Sequence, residues 1–239
     1  MKKHLLVIAG LLFSLSGSSQ IFTGESILNN ENIDKQRWSW GYYVGMNTYN
    51  YNFDYKTTQL PPFAEDIKVE PSLGFNVGLV GNLRINDYLD LRLEPGVSFN
   101  SLSLDFNVPE NRLGNFTNQR EINLTYVHVP LLLKVSTKRL KNFKPFIVGG
   151  VSTSFNLSSN EDNPDDNTAG QFRSRTNSFY YELGFGVDFY LYFFKFTPSL
   201  RGVFGLSDDL VPDSNPQSPF TTNIDKMSMR GVFLNFTFQ

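Results

Sequence analysis

The stretch that most limits the possible folds is Leu83–Phe99, LRINDYLDLRLEPGVSF. After its turn it alternates strictly. Leu89, Leu91, Leu93, Pro95, Val97 and Phe99 point one way, and Asp90, Arg92, Glu94, Gly96, Ser98 and Asn100 the other. Period-two alternation marks a strand with one apolar and one polar face. Before the turn, Leu73, Phe75, Val77, Leu79 and Leu83 alternate with Gly74, Asn76, Gly78, Asn82 and Arg84, and Asn86–Asp87 supply the turn chemistry of a hairpin. Three charges in succession on one face admit two readings. In a soluble sandwich or lipocalin-like barrel the leucines turn inward. In a membrane barrel they face lipid and the charges face a filled lumen.

The rest of the chain favours the membrane barrel. Lys2, Lys3, an apolar run from Leu5 to Leu15 and small residues Ser16–Ser19 read as an export signal over residues 1–19, cut near Ser19. With no cysteine in the chain, a lipoprotein anchor, disulfides and thiolate metal sites are all excluded. No later stretch reaches 18 uninterrupted apolar residues, so a membrane-spanning form must be a closed barrel. Residues 20–37 are polar and read as a periplasmic segment without firm structure; residues 38–239 form the barrel.

Eight alternating strands can be traced. The first starts at Trp38, the second and third form the hairpin above, and the fourth covers about 119–136. The fifth covers about 143–157, the sixth carries Phe179–Leu191, the seventh Phe196–Gly205, and the last ends in Val232, Leu234, Phe236 and Phe238. Joins after odd strands (54–69, 107–118, 158–175, 208–222) are long and rich in Asn, Asp and Pro, while joins after even strands are short. This predicts an all-β, eight-stranded antiparallel up-and-down transmembrane barrel, with long extracellular loops, short periplasmic turns and an outer-membrane location.

The polar face carries Arg84, Asp90, Arg92, Glu94, His128, Lys134, Glu182, Asp188 and Arg201. An eight-stranded barrel is filled by side chains, so these groups are expected to pair in the lumen instead of lining a pore. Trp38, Trp40, Tyr42, Phe236 and Phe238 suit a membrane-interface belt. Contact with outer-membrane lipid is therefore expected. A formal net charge of -2 gives no sign of a nucleic-acid surface.

The chain lacks GxSxG, HExxH and a phosphate-binding glycine loop, and outside the leader it has one histidine, His128. That histidine lies mid-strand, so a lumen hydrogen-bonding role is expected, with no enzymatic activity and no cofactor. Glu161, Asp162, Asp165 and Asp166 could hold Ca²⁺ but lack the EF-hand spacing, so the segment reads as a solvated loop.

Three pieces, FNVGLVGNLRINDYLDLRLEPGVSF (75–99), YVHVPLLLKV (126–135) and KPFIVGG (144–150), resemble the PorT family of outer-membrane barrels, which includes the gliding-motility protein SprT. The resemblance covers roughly residues 39–238. It implies a component of the type IX secretion system, binding other parts of that machine, with a role in gliding where gliding occurs. Phe238 resembles the C-terminal aromatic signal read by the barrel-assembly machinery, although Gln239 follows it. In that family the residue at the position of His128 is commonly acidic, and a histidine there alters the charge balance of the lumen. The alternative is an adhesin-like barrel whose loops bind external ligands without a secretion role.

Overall fold

The computed structural model describes residues 28–56, 67–106, 108, 117–165, 167–215, 218 and 220–239. The expected export signal, residues 1–19, lies outside these residues, as does most of the loops expected at 54–69 and 107–118. A 3₁₀ turn, Glu31–Lys35, precedes ten strands. They are β1 (Trp38–Tyr55), β2 (Lys68–Pro71), β3 (Gly74–Arg84), β4 (Leu89–Leu93), β5 (Gly96–Asp105), β6 (Gln119–Ser136), β7 (Phe143–Asn156), β8 (Asn177–Tyr190), β9 (Lys195–Gly205) and β10 (Ile224–Phe238).

Every pairing is antiparallel, and the ladder returns on itself. Tyr42 of β1 is opposite Phe238 of β10 on one side and Leu79 of β3 on the other, and β10, β9, β8, β7 and β6 follow in order to β4 and β5. The ten segments occupy the eight positions expected from the sequence. β2 and β3 share one position, and β4 and β5 share another, split at Glu94–Pro95. Pro95 has no N–H to give to the ladder. Its carbonyl still accepts from Leu79 N at 2.8 Å, and Glu94 N donates to Pro130 O at 3.2 Å, which carries the wall across the break.

The joins differ at the two ends. At the turn end they are tight. Ile85 N donates to Leu89 O (2.9 Å), Tyr88 N to the Asn86 side chain (2.8 Å) and Leu191 N to Phe194 O (3.0 Å). The long joins gather at the opposite, loop end.

Both faces of the wall change character partway up. On the turn-end half, outward positions are apolar: Val44 and Met46 on β1, Val77 and Leu79 on β3, Leu131 and Leu133 on β6, Leu183 and Phe185 on β8. On the loop-end half they become polar: Thr48, Asn50 and Asn52 on β1, Ser101 and Ser103 on β5, Glu121 and Asn123 on β6, Ser228 and Arg230 on β10. The interior inverts at the same level. Charged side chains fill the turn-end half, and a cluster including Tyr49, Leu104, Phe106, Leu124, Tyr126, Phe220 and Met227 fills the loop-end half. β1 and β6 have 18 residues each, whereas a tilted strand crosses a bilayer in roughly 9–11. The upper part of the wall therefore stands in water and buries apolar groups inside, as any soluble barrel must.

Glycine makes room where the lumen is tightest. Gly78 and Gly96 are opposite each other on β3 and β5, and the Tyr43 ring lies across them. A Cβ on Gly78 would sit 2.6 Å from that ring, and one on Gly96 would sit 2.1 Å from its hydroxyl. The two glycines admit the ring to the lumen, where Tyr43 Oη donates to the Glu94 carbonyl at 3.4 Å.

Candidate functional site

The interior of the turn-end half is a network of buried charges. Arg92 and Arg201 converge on the two oxygens of Glu94, each at 2.8 Å. Arg201 Nε also touches Glu182 Oε2 at 2.9 Å, an ion contact in which the N–H is not aimed at the oxygen. His128 Nε2 lies 2.7 Å from Glu182 Oε1, so with the carboxylate ionised the imidazole donates. Nearer the turns, Lys134 donates to Asp188 at 2.5 Å, and Thr197 donates to the other Asp188 oxygen at 2.7 Å. The Lys134 ammonium also lies 4.1 Å from the centre of the Phe146 ring. These pairs reach past neighbouring strands, from β6 to β8 over β7 and from β9 across the lumen to Glu94, because period-two geometry aims alternate side chains inward at matching heights.

Of the nine residues assigned to the network from sequence, eight are buried: Asp90, Arg92, Glu94, His128, Lys134, Glu182, Asp188 and Arg201. Arg84 stands apart from these eight, although it lines the turn-end cavity with Asp90 and Asp188. Its position faces inward, but it lies at the rim and pairs at 2.5 Å with Asp87 of its own turn, whose side chain is 73% exposed. The sequence reading also passed over Lys144 and Lys195, both buried near the turn-end mouth. Each stands at or next to the first residue of its strand with inward parity, so carrying the alternation one step further would have found them. An amide ladder was missed as well: Asn76 donates to Asn235 at 2.6 Å, and Asn100 to Asn47 at 2.8 Å.

The turn-end mouth is covered by residues 28–37, which carry a 3₁₀ turn and long-range bonds where the sequence alone suggested no firm structure. Tyr190 Oη donates to Asp34 Oδ1 at 2.8 Å, and Arg139 Nη1 donates to Asp34 Oδ2 at 3.0 Å. The Arg139 guanidinium stacks 3.8 Å over the Tyr190 ring and also donates to the Asn29 carbonyl, while Asn29 N donates to Asn142 at 2.9 Å. Ile33, Asp34 and Gln36 thereby line a small cavity with Asp90, Lys144, Asp188 and Lys195.

The loop end is closed differently. Phe106 packs edge-on to Phe220 at 5.2 Å between ring centres. Arg120 spans the cap: its guanidinium lies 5.0 Å over the Phe220 ring and donates to Thr117 O and Asn167 O, each at 2.7 Å. Asp213 accepts from the Asn167 amide at 3.1 Å. Asp209 is buried among these loops and accepts from Ser178, and burial raises its carboxyl to about 6. Glu161, from the acidic loop, accepts from Thr176 N at 2.7 Å, which holds its carboxyl below the usual range. Among the described residues no cluster of His, Cys, Asp and Glu is arranged to hold a metal; Asp166 lies outside them.

The aromatic set picked out from sequence lies on the outward face at the turn end, with Tyr42, Phe236 and Phe238 along the seam where β1 meets β10, and Trp38 and Trp40 opposite β3. Trp38 and Trp40 stack at 6.5 Å, Tyr42 and Phe238 at 5.4 Å, and Phe196 and Phe236 at 6.1 Å.

Comparison with known proteins adds the following. The model of the family described as outer membrane protein beta-barrel domain matches residues 19–210. No curated protein sequence matches the chain. Among solved structures, Neisserial surface protein A has 11% identity, a TM-score of 0.43, and coverage of 84% of this chain and 98% of its own. The outer membrane protein OprG of Pseudomonas aeruginosa has 11% identity, a TM-score of 0.43, and coverage of 83% and 94%. The attachment invasion locus protein Ail of Yersinia pestis, solved with the heparin analogue sucrose octasulfate, has 10% identity, a TM-score of 0.38, and coverage of 85% and 99%.

Proposed function

We propose that this chain, which belongs to the outer membrane protein beta-barrel family, is a non-enzymatic component of type IX secretion that acts by holding other parts of that machine. The observation that carries the reading is the blocked lumen. A charge network, an apolar plug above it and an ordered segment across the turn-end mouth leave the protein's outer surfaces as its means of action. The resemblance of residues 75–99, 126–135 and 144–150 to the PorT family supplies the particular machine. In the outer membrane the loop end faces outside and the turns face the periplasm. On this reading residues 1–19 direct export, the last strand engages the barrel-assembly machinery, and Trp38, Trp40, Tyr42, Phe236 and Phe238 sit among the lipid headgroups at the periplasmic interface. Residues 28–37 and the periplasmic turns offer the surface nearest to partners in the periplasm.

A second reading is favoured by the loop end, where the wall and its packed cap stand clear of the apolar band. A rigid platform of that kind suits an adhesin-like role in binding external ligands. The secreted proteome of a strain lacking the gene separates the two. Collapse of C-terminally tagged cargo in the medium is the expected result. Normal export, with loss of surface binding when the loops are truncated, would replace the first reading by the second.

A further inference from the structure

Among the described residues the wall is weakly paired between β1 and β2. The β1–β3 ladder stops at the pair Asn47–Gly74, and beyond it β2 pairs only with β5, ending at Pro71 opposite Leu102. Pro71 has no N–H to offer β1, which suits it to a sheet edge. Beside this place, on the outer face of the continuous β1–β10–β9 ladder and bounded by Pro71, lies a groove of about 290 Å³ lined by Thr48, Asn50, Phe204, Arg230 and Val232 among others.

This groove sits at the level where the outward face changes from apolar to polar. Val232 belongs to the apolar band below it, Asn50 and Arg230 to the polar wall above, and Phe204 stands at the height of Arg230. Arg230 is opposite Phe204 across the β9–β10 ladder, and it has no ion pair among the described residues. An unpaired guanidinium over an apolar groove, at the outer edge of the lipid-facing belt, is complementary to an amphiphile with acyl chains below and an anion above.

We propose that the groove binds one phosphorylated glycolipid of the outer leaflet, its acyl chain lying against Val232, Phe204 and Pro71 and its phosphate held by Arg230. Thr48 and Asn50 flank the headgroup as neutral hydrogen-bonding groups. The occupant follows from continuity with the lipid-facing belt and from charge, because the groove opens sideways at headgroup height and not toward the medium.

The test is native mass spectrometry of the refolded full chain in detergent, titrated with bis-phosphorylated lipid A and, separately, with the same lipid stripped of its phosphates. Wild type is expected to retain one phosphorylated lipid and to bind the stripped lipid about tenfold more weakly, the scale of one charge-assisted hydrogen-bonding site. Arg230→Glu should lose that preference, while Arg230→Lys keeps part of it. Val232→Trp, which fills the groove, should weaken both lipids alike. Heat-modifiable migration on gels checks that each variant is folded. Equal binding of the two lipids by wild type, or an unchanged preference in Arg230→Glu, would overturn the proposal.

Discussion

The same strands build two different proteins, one above the other. β6 runs through both: His128, Pro130, Leu132 and Lys134 face the lumen at the turn end, and Ile122, Leu124 and Tyr126 face it at the loop end. Its outward face changes in the opposite sense, from Val127–Val135 to Glu121, Asn123 and Thr125. In the lower half lipid takes the apolar side chains, so the interior is left to charges. In the upper half water takes the polar side chains, so the interior becomes a core. Solvent sets the sign of the pattern, and the backbone is indifferent to it. The two interiors also fail differently. A charge network is sensitive to loss of one partner, because the remaining charge is stranded. An apolar core loses only the contacts removed and the cavity left behind.

Breaking the lower interior should have the largest effect. Glu182→Leu leaves His128 and Arg201 without their shared carboxylate, and a loss of about 3–5 kcal/mol is expected in denaturant unfolding from vesicles. Unchanged unfolding would mean that the network reorganises around the gap. Next comes the outward face. Leu183→Arg, in the apolar band, should cost about 2–4 kcal/mol, while Asn123→Arg on the upper wall should cost close to nothing. Equal costs would move the boundary between the halves.

The upper interior is probed by pH. Burial raises the Asp209 carboxyl from 3.8 to about 6, so between those values the folded state holds a proton that the unfolded chain has released. Stability therefore falls as pH rises through that window, by on the order of 3 kcal/mol, and levels off above it. Asp209→Asn should remove this part of the pH dependence, read as the difference between the two unfolding profiles from pH 4 to 7. The smallest effect belongs to the turn-end mouth. Asp34→Ala removes a partly exposed pair with Arg139 and the bond from Tyr190, worth about 1 kcal/mol or less. Its sign is faster proteolysis of residues 28–37 with the barrel's heat-modifiable shift intact.

Alternation made the eight positions around the ring legible, and the charges at inward parity pointed to the lumen. Arg84, the last residue of β3, satisfied the parity rule yet pairs with the adjoining turn, because at a strand end the nearest opposite charge is local: Asp87 is three residues away. Lys144 and Lys195 escaped notice for a related reason, since a charge at the edge of a strand reads like part of the adjoining polar turn. The docked segment at 28–37 left no trace in composition. Its asparagines and charges look solvated until Arg139, Asn142 and Tyr190, far away in the chain, supply partners.

What the sequence determined by itself was the period, the number of turns and the alternation of long and short joins, because these depend on neighbours two residues away and on local turn chemistry. The tertiary structure alone decided which carboxylate meets which cation, where the interior changes from charged to apolar, and where the wall parts. Those depend on strand register around a closed ring, on how much of each 18-residue strand rises above the lipid, and on a ladder that ends at Asn47 and Gly74. No window along the chain contains that information, since the groups that meet are brought together from strands distant in sequence.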